Sequence, residues 1–198
     1  MPSTDWRALG PGNLMGHLRS DLKKATREVL IVGPWIDSFF ADLVIGASPS
    51  AVAFRILTRP LGAMSPGFLE HAQAARQRFT DRGHAEIRTL HHLHAKVILI
   101  DGIIAFCGSA NWYRYSLEEA AEIVLRGDSE EVPTLLDELA SLWDQATAEN
   151  LQFPPRPALP STATSGGYKE EVIDPTAAAK IAEVPGAFFL RRKPPRSR

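Results

Sequence analysis

The chain has 198 residues, 44% of them apolar and 23% charged, which is typical of a globular protein of one domain with a short extension. It contains no run of about 18 apolar residues and no signal-peptide pattern, so the sequence predicts a cytoplasmic protein without stable membrane association. The net charge of −1 argues against a protein that binds polyanions through a general excess of basic residues.

The charge is divided unevenly along the chain. Residues 151–198 hold eight Lys or Arg and four Asp or Glu, a charge of +4, which leaves −5 on residues 1–150. The same C-terminal stretch is rich in Pro, Ser, Thr and Gly, a composition typical of flexible tails. The sequence therefore predicts one folded domain, residues 1–150, followed by a flexible tail, residues 151–198, that ends in basic residues.

Apolar periodicity and turn residues predict alternating helices and strands. Leu14, Leu18 and Leu22 recur at helical spacing and predict a first helix over residues 12–29. The order of the predicted elements favours an α/β fold with helices packed on a sheet. In chain order, the other elements are a strand over 29–36, a helix over 37–47, a strand over 51–59, a helix over 65–83, a strand over 85–90, a hairpin within 91–111, a strand over 121–127 and a helix over 129–150.

The hairpin is predicted from residues 91–111, which read HHLHAKVILIDGIIAFCGSAN. Asp101-Gly102 between two apolar runs is a strong signal for a two-residue turn, which would pair Ile100 with Ile103. Counting back from that turn places polar residues of both strands on one face, at the end far from the turn. Asp101 would lie roughly 20 Å from that end, at about 3.3 Å per residue.

Four polar side chains meet at the far end in this register: His94, Lys96, Ser109 and Asn111. Lysine supplies a fixed positive charge, and Asn and Ser supply neutral hydrogen-bond donors, a combination that suits a phosphate group. A histidine among them can act as a nucleophile or a general acid. The pattern therefore predicts phosphate chemistry.

Other residues around the motif receive structural interpretations. Trp35 and Trp112 are predicted to belong to the core rather than to stack on nucleic-acid bases. His91 and His92 are predicted to be loop residues, because no His/Cys set with metal-ligand spacing accompanies them. The sequence therefore predicts no metal site and no cofactor.

The spacing of these residues closely resembles the HKD signature of the phospholipase D superfamily, and the resemblance extends over roughly residues 15–148. Downstream, Ser116 and Glu122 also fit the family pattern, whereas Ala120 stands where the family often has Asn. The resemblance implies a mixed β-sheet flanked by helices on both faces, with residues 1–150 as the catalytic domain. The motif positions are His94, Lys96, Asp101, Gly108, Ser109 and Asn111.

The resemblance also implies a role for each matching residue. In this family the motif histidine attacks phosphorus without a metal, so His94 would form a covalent phosphohistidine. Lys96 and Asn111 would hold the non-bridging oxygens, with Ser109 as a further donor. The remaining positions are Glu122, which would orient the imidazole of His94, and Asp101 and Gly108, which would be structural.

A complete site in this family needs two motifs, and this chain has one. It therefore resembles the small single-motif bacterial endonucleases of the family, which are homodimers that share one active site. The function predicted in this way is hydrolysis of nucleic-acid phosphodiester bonds, with DNA favoured over RNA. Two alternatives remain open: a phospholipase or phosphatidyl transferase acting on phospholipid headgroups, and an inactive nucleic-acid-binding relative.

Overall fold

The computed structural model describes residues 6–149, so the predicted tail lies outside the described residues. Within this part of the chain, no helix is long and apolar enough to cross a membrane. The strands are β1 (Arg7–Leu9), β2 (Glu28–Val32), β3 (Ala53–Thr58), β4 (Ala85–Thr89), β5 (Val97–Ile100), β6 (Ile104–Gly108), β7 (Val124–Asp128) and β8 (Thr147–Ala148). The α-helices are α1 (Pro11–Leu22), α2 (Ser38–Ala47), α3 (Pro66–Arg82), α4 (Arg114–Glu118) and α5 (Pro133–Gln145).

The described strands form a single sheet in the order β1-β7-β6-β5-β2-β3-β4-β8. Strands β2, β3 and β4 are parallel, and every other neighbouring pair is antiparallel. The sheet is therefore mixed, as predicted. The carboxyl ends of β2, β3, β4 and β6 and the amino ends of β5 and β7 lie along one edge, which we call the catalytic edge.

Helices cover both faces of the sheet, which confirms the predicted layers. On one face, α1, α2 and α3 bury an apolar core that includes Leu18, Phe40 and Phe79. On the other face, α5 packs Leu139 and Trp143 against the sheet. The two α5 residues are four positions apart and therefore lie on one face of the helix.

The chain departs from the predicted elements near both ends of the domain. The first helix ends at Leu22 rather than at residue 29, because the chain turns there to enter β2. The last helix ends at Gln145 rather than at residue 150, and the chain then pairs with β4 as strand β8. Strand β1, which was not predicted, is positioned by pairing with β7.

The predicted register of the hairpin is wrong by one residue. Asp101 and Gly102 do have positive φ angles of 56° and 74°, but the loop includes Ile103, so Ile100 pairs with Ile104. The loop is shaped by contacts outside the hairpin: the Asp101 amide donates to Glu28 and the Ile103 carbonyl accepts from Ser129. Val97, not Lys96, therefore lies opposite Cys107, and the side of the hairpin facing α1–α3 includes Ile98, Ile104 and Phe106.

Candidate active site

The polar residues of the motif lie just outside the regular strands, all at the catalytic edge. His94 and Lys96 precede β5, Ser109 and Asn111 follow β6, and Glu122 precedes β7. Because β6 runs antiparallel to both β5 and β7, these three connections come together. These residues therefore lie at the same edge although the predicted register was wrong, because their position depends on where the strands end and not on which residues pair.

His94 and Lys96 form the centre of the site. The Lys96 side chain is only 8% exposed, and its Nζ donates to the His94 carbonyl at 2.8 Å. The same Nζ lies 3.4 Å from both ring nitrogens of His94, whose side chain is exposed. The charge of Lys96, followed by partial burial and the charge of Arg59, lowers the pKa of His94. A lowered pKa favours the neutral imidazole, which has an electron pair available for attack.

The surroundings of Lys96 change the pKa of its ammonium group. Burial lowers the pKa of Lys96, the carboxylate of Glu122 raises it, and Arg59 lowers it further, with a net decrease. The balance leaves a cation with little solvent around it. Such a cation interacts more strongly with an anionic ligand than an exposed one does.

Glu122 contacts two serines rather than His94. Its carboxylate accepts hydrogen bonds from Ser109 Oγ and, at 2.8 Å, from Ser116 Oγ. Ser116 Oγ in turn accepts from the backbone amide of Asn111 at 2.8 Å, so Glu122 is linked to the end of the motif through both serines. The expected hydrogen bond between the His94 ring and the Glu122 carboxylate is not present within the described chain, where the carboxylate accepts from the two serines instead.

Asn111 presents a side-chain amide beside this network. Its Oδ1 is buried and has no hydrogen-bond partner within the described residues. A buried amide oxygen without a partner is costly in a folded protein and occurs most often at sites that bind a ligand or water. Asn111 is therefore placed where a ligand could complete its hydrogen bonding.

Arg59, which was not predicted as a site residue, follows β3 at the same edge. Its Nε donates to the Leu93 carbonyl at 2.8 Å, and its guanidinium lies 5.7 Å from the ring centroid of Trp35. Its charge lowers the pKa of both His94 and Lys96. A basic residue at the end of a strand that shares the catalytic edge is the only signal that points to it, since Arg59 is 35 positions from His94.

Asp101 and Gly108 shape the hairpin and contribute no side chain to the candidate site. The Asp101 carboxylate accepts from the amides of Thr26, Arg27 and Glu28 at 2.8, 2.8 and 3.0 Å. A Cβ on Gly108 would lie 2.2 Å from the Ile123 carbonyl, so only glycine lets β6 and β7 approach there. The surroundings of both residues are therefore those expected for a structural role.

Trp112, His91 and His92 lie in the kinds of position that the sequence predicts for them. Trp112 is fully buried, donates from Nε1 to the Val32 carbonyl at 2.7 Å and stacks on Phe40, as expected for a core residue. His91 and His92 lie exposed in the turn before the motif. In residues 6–149 no three His, Cys, Asp or Glu side chains are grouped so as to hold a metal ion.

Replacing Arg59 by Gln is expected to raise the pKa of His94 toward its ordinary value, because a neighbouring positive charge disfavours the imidazolium. An NMR titration of the His94 ring would measure this change. Arg78→Gln is the matched control, since Arg78 pairs with Asp42 at 2.8 Å on the surface. An unchanged His94 titration in the Arg59 variant would refute the electrostatic link between the two side chains.

Comparison with known proteins places this arrangement in a family. The family model described as "Cardiolipin synthase, PLD-like domain" matches residues 18–143. No curated protein matches the sequence.

Three solved structures share the fold. NucT from Helicobacter pylori is similar with a TM-score of 0.62 and 15% identity, over 73% of this chain and 99% of that chain. Nuc from Salmonella typhimurium, a phospholipase D family member, has a TM-score of 0.61 and 17% identity, over 75% and 99%. Phosphatidylserine synthase from Haemophilus influenzae Rd KW20 has a TM-score of 0.59 and 11% identity, over 74% and 40%. Since the family model covers more than half of the chain, the protein belongs to the phospholipase D superfamily.

Proposed function

We propose that the protein is a metal-independent phosphodiesterase that hydrolyses nucleic-acid phosphodiester bonds through a phosphohistidine, at a site shared by two copies of the chain. The observation that carries this proposal is the exposed imidazole of His94, 3.4 Å from the ammonium of buried Lys96. The lowered pKa of His94 leaves the ring in its nucleophilic form. A cation beside the nucleophile also supplies a binding point for the phosphate.

The reaction proceeds in two displacements. In the first, an imidazole nitrogen of His94 bonds to phosphorus, the bond to the leaving oxygen breaks, and that oxygen takes a proton from His94 of the partner subunit. In the second, water bonds to phosphorus and gives a proton to the now neutral His94 of the partner subunit while the phosphorus–nitrogen bond breaks. The products are an alcohol and a phosphomonoester.

The surrounding groups stabilise the charge that develops on the non-bridging oxygens. Lys96 and Arg59 supply positive charge, and Ser109 and Asn111 supply neutral donors. The phosphodiester anion opposes the effect of the two cations on an adjacent imidazole, which allows one of the two histidines to hold a proton. Since the motif occurs once in the chain, the second histidine comes from a second copy.

A second candidate function is phosphatidyl transfer or hydrolysis at phospholipid headgroups. The fold similarity to phosphatidylserine synthase from Haemophilus influenzae favours it. The chemistry at His94 would be the same, and only the groups on either side of the phosphate would differ. Nucleic acid is preferred here because the chain resembles the small single-motif endonucleases of the family and matches NucT and Nuc over 99% of their lengths.

Purified protein incubated with labelled plasmid, single-stranded DNA, RNA or phosphatidylcholine, all in EDTA, is expected to cleave nucleic acid and leave the phospholipid intact. Chelation should not slow the reaction, because side-chain cations stabilise the charge on the phosphate. The His94→Asn protein is the control for contaminating nucleases. Release of headgroup alone would favour the second candidate, and activity that EDTA abolishes and Mg²⁺ restores would contradict the mechanism.

A further inference from the structure

Three aromatic side chains form a continuous cluster beside the candidate active site, and we call it the aromatic wall: Trp35, Phe68 and Tyr113. The ring centroids of Trp35 and Phe68 lie 5.2 Å apart at 85°, and those of Phe68 and Tyr113 lie 5.7 Å apart at 72°. Trp35 follows β2, Phe68 lies in the first turn of α3 after β3, and Tyr113 follows the motif. The wall therefore stands at the catalytic edge.

The wall adjoins the candidate catalytic residues at both of its ends. At one end the Arg59 guanidinium lies over Trp35, while its Nε bonds to the carbonyl of Leu93, the residue before His94. At the other end, Tyr113 follows the motif residue Asn111 by two positions. The wall therefore lies next to residues that adjoin His94 in the candidate site.

The wall is not part of the hydrophobic core. Neither of the two core clusters of the described domain includes Trp35, Phe68 or Tyr113, and all three side chains are half-buried. The prediction that Trp35 belongs to the core is therefore wrong. The neighbouring Trp112, by contrast, is fully buried and stacks on Phe40. Three partly exposed rings next to a phosphate site present rigid apolar surface where a substrate would lie.

We infer that the aromatic wall is a subsite that stacks an unpaired nucleobase adjoining the scissile phosphate, so that the protein acts on single strands. This inference rests on the proposed function. Bases in a duplex are covered on both faces by their neighbours, whereas an unpaired base can stack on an aromatic ring. Arg59 beside Trp35 adds a cation that can interact with the base or with the next phosphate.

Binding by the full-length His94→Asn protein tests the inference separately from catalysis. The probes are a fluorescent oligothymidine and an oligomer of equal length and charge in which every nucleotide is abasic. We expect the abasic oligomer to bind roughly 5- to 150-fold more weakly, which is the effect of losing the stacking of one base on an aromatic ring. Equal affinity for the two oligomers would overturn the subsite, whatever the catalytic assays show.

Tyr113→Leu and Trp35→Leu, each made in the His94→Asn protein, locate the effect. Each should weaken binding of oligothymidine and leave binding of the abasic oligomer unchanged. Phe39→Leu is the matched control, since Phe39 is also half-buried beneath an arginine, Arg114 at 4.5 Å, but packs against the core. Thermal melts identify any variant that does not fold. If one of the two wall variants does not fold, the other is used for the binding test.

Two further outcomes bear on the inference. A duplex of the same length should bind more weakly than the single strand, and equal binding of the two would contradict single-strand selection. Wall variants that lose binding to phosphatidylserine vesicles but keep oligothymidine binding would assign the wall to lipid instead. Cleavage of oligonucleotides by the wild-type protein tests the proposed function independently, so the two failures are distinguishable.

Discussion

Replacing His94 by Asn is expected to lower turnover by at least about four orders of magnitude, because both the covalent step and the proton transfer are lost. The variant should remain folded, since the side chain of His94 is exposed. Lys96, Ser109 and Asn111 remain in place, so substrate should still bind. Steady-state kinetics and a binding titration on the same preparation would measure both effects.

Mixed dimers sharpen this test, because they separate the two histidines. A dimer with one wild-type chain and one His94→Asn chain has either a nucleophile or an acid, and should be inactive. For wild type, the rate should fall at low pH, where the attacking imidazole becomes protonated, and at high pH, where the acid is lost. Since the pKa of His94 is lowered, the acid limb of kcat/KM should lie below the ordinary range of histidine. Near-normal turnover in the mixed dimer would contradict the shared site.

Replacing Asp101 by Ala is expected to lower the free energy of unfolding by at least about 3 kcal/mol, because three backbone amides lose their acceptor. The fraction that remains folded should keep its activity, since Asp101 lies at the opposite end of the hairpin from His94. Denaturant unfolding and activity per folded molecule would measure the two quantities. A variant with normal stability and no activity would instead place Asp101 in the chemistry.

Asp101 should also make the stability of the fold depend on pH. Burial acts to raise the pKa of Asp101, but hydrogen bonds from Arg27, Thr26 and Glu28 outweigh it and hold the pKa below its ordinary value. The carboxylate therefore stabilises the fold at pH values above the unfolded pKa, and this stability is lost as the pH falls through the folded pKa. The pH dependence of stability should weaken in Asp101→Asn and persist in Asp81→Asn, whose carboxylate is exposed on α3.

Much of the fold follows from local patterns in the sequence. The apolar runs that became β2, β3 and β4 alternate with capped amphipathic segments, and this order alone favours an α/β sheet. The motif residues could be recognised from their spacing, because they lie in one continuous stretch of sequence that contains a single hairpin. Lys96 and His94 lie two residues apart, so their proximity needs little knowledge of the tertiary structure.

The features that could not be predicted depend on distant parts of the chain. Arg59 reaches the site from the end of another strand, and the aromatic wall combines residues from three separate segments of the chain. The hairpin register is set by hydrogen bonds to Glu28 and Ser129, which no local turn rule contains. Glu122 binds Ser109 and Ser116 because the connections around β6 and β7 converge, and that convergence is a property of the sheet.

The stereochemistry of hydrolysis tests the central claim, a covalent phosphohistidine, most directly. The substrate is a phosphorothioate diester of one configuration, hydrolysed in ¹⁸O-labelled water with EDTA present. Two in-line displacements, first by His94 and then by water, predict that the product retains the configuration at phosphorus. Inversion would show that water attacks the diester directly, and would contradict the account.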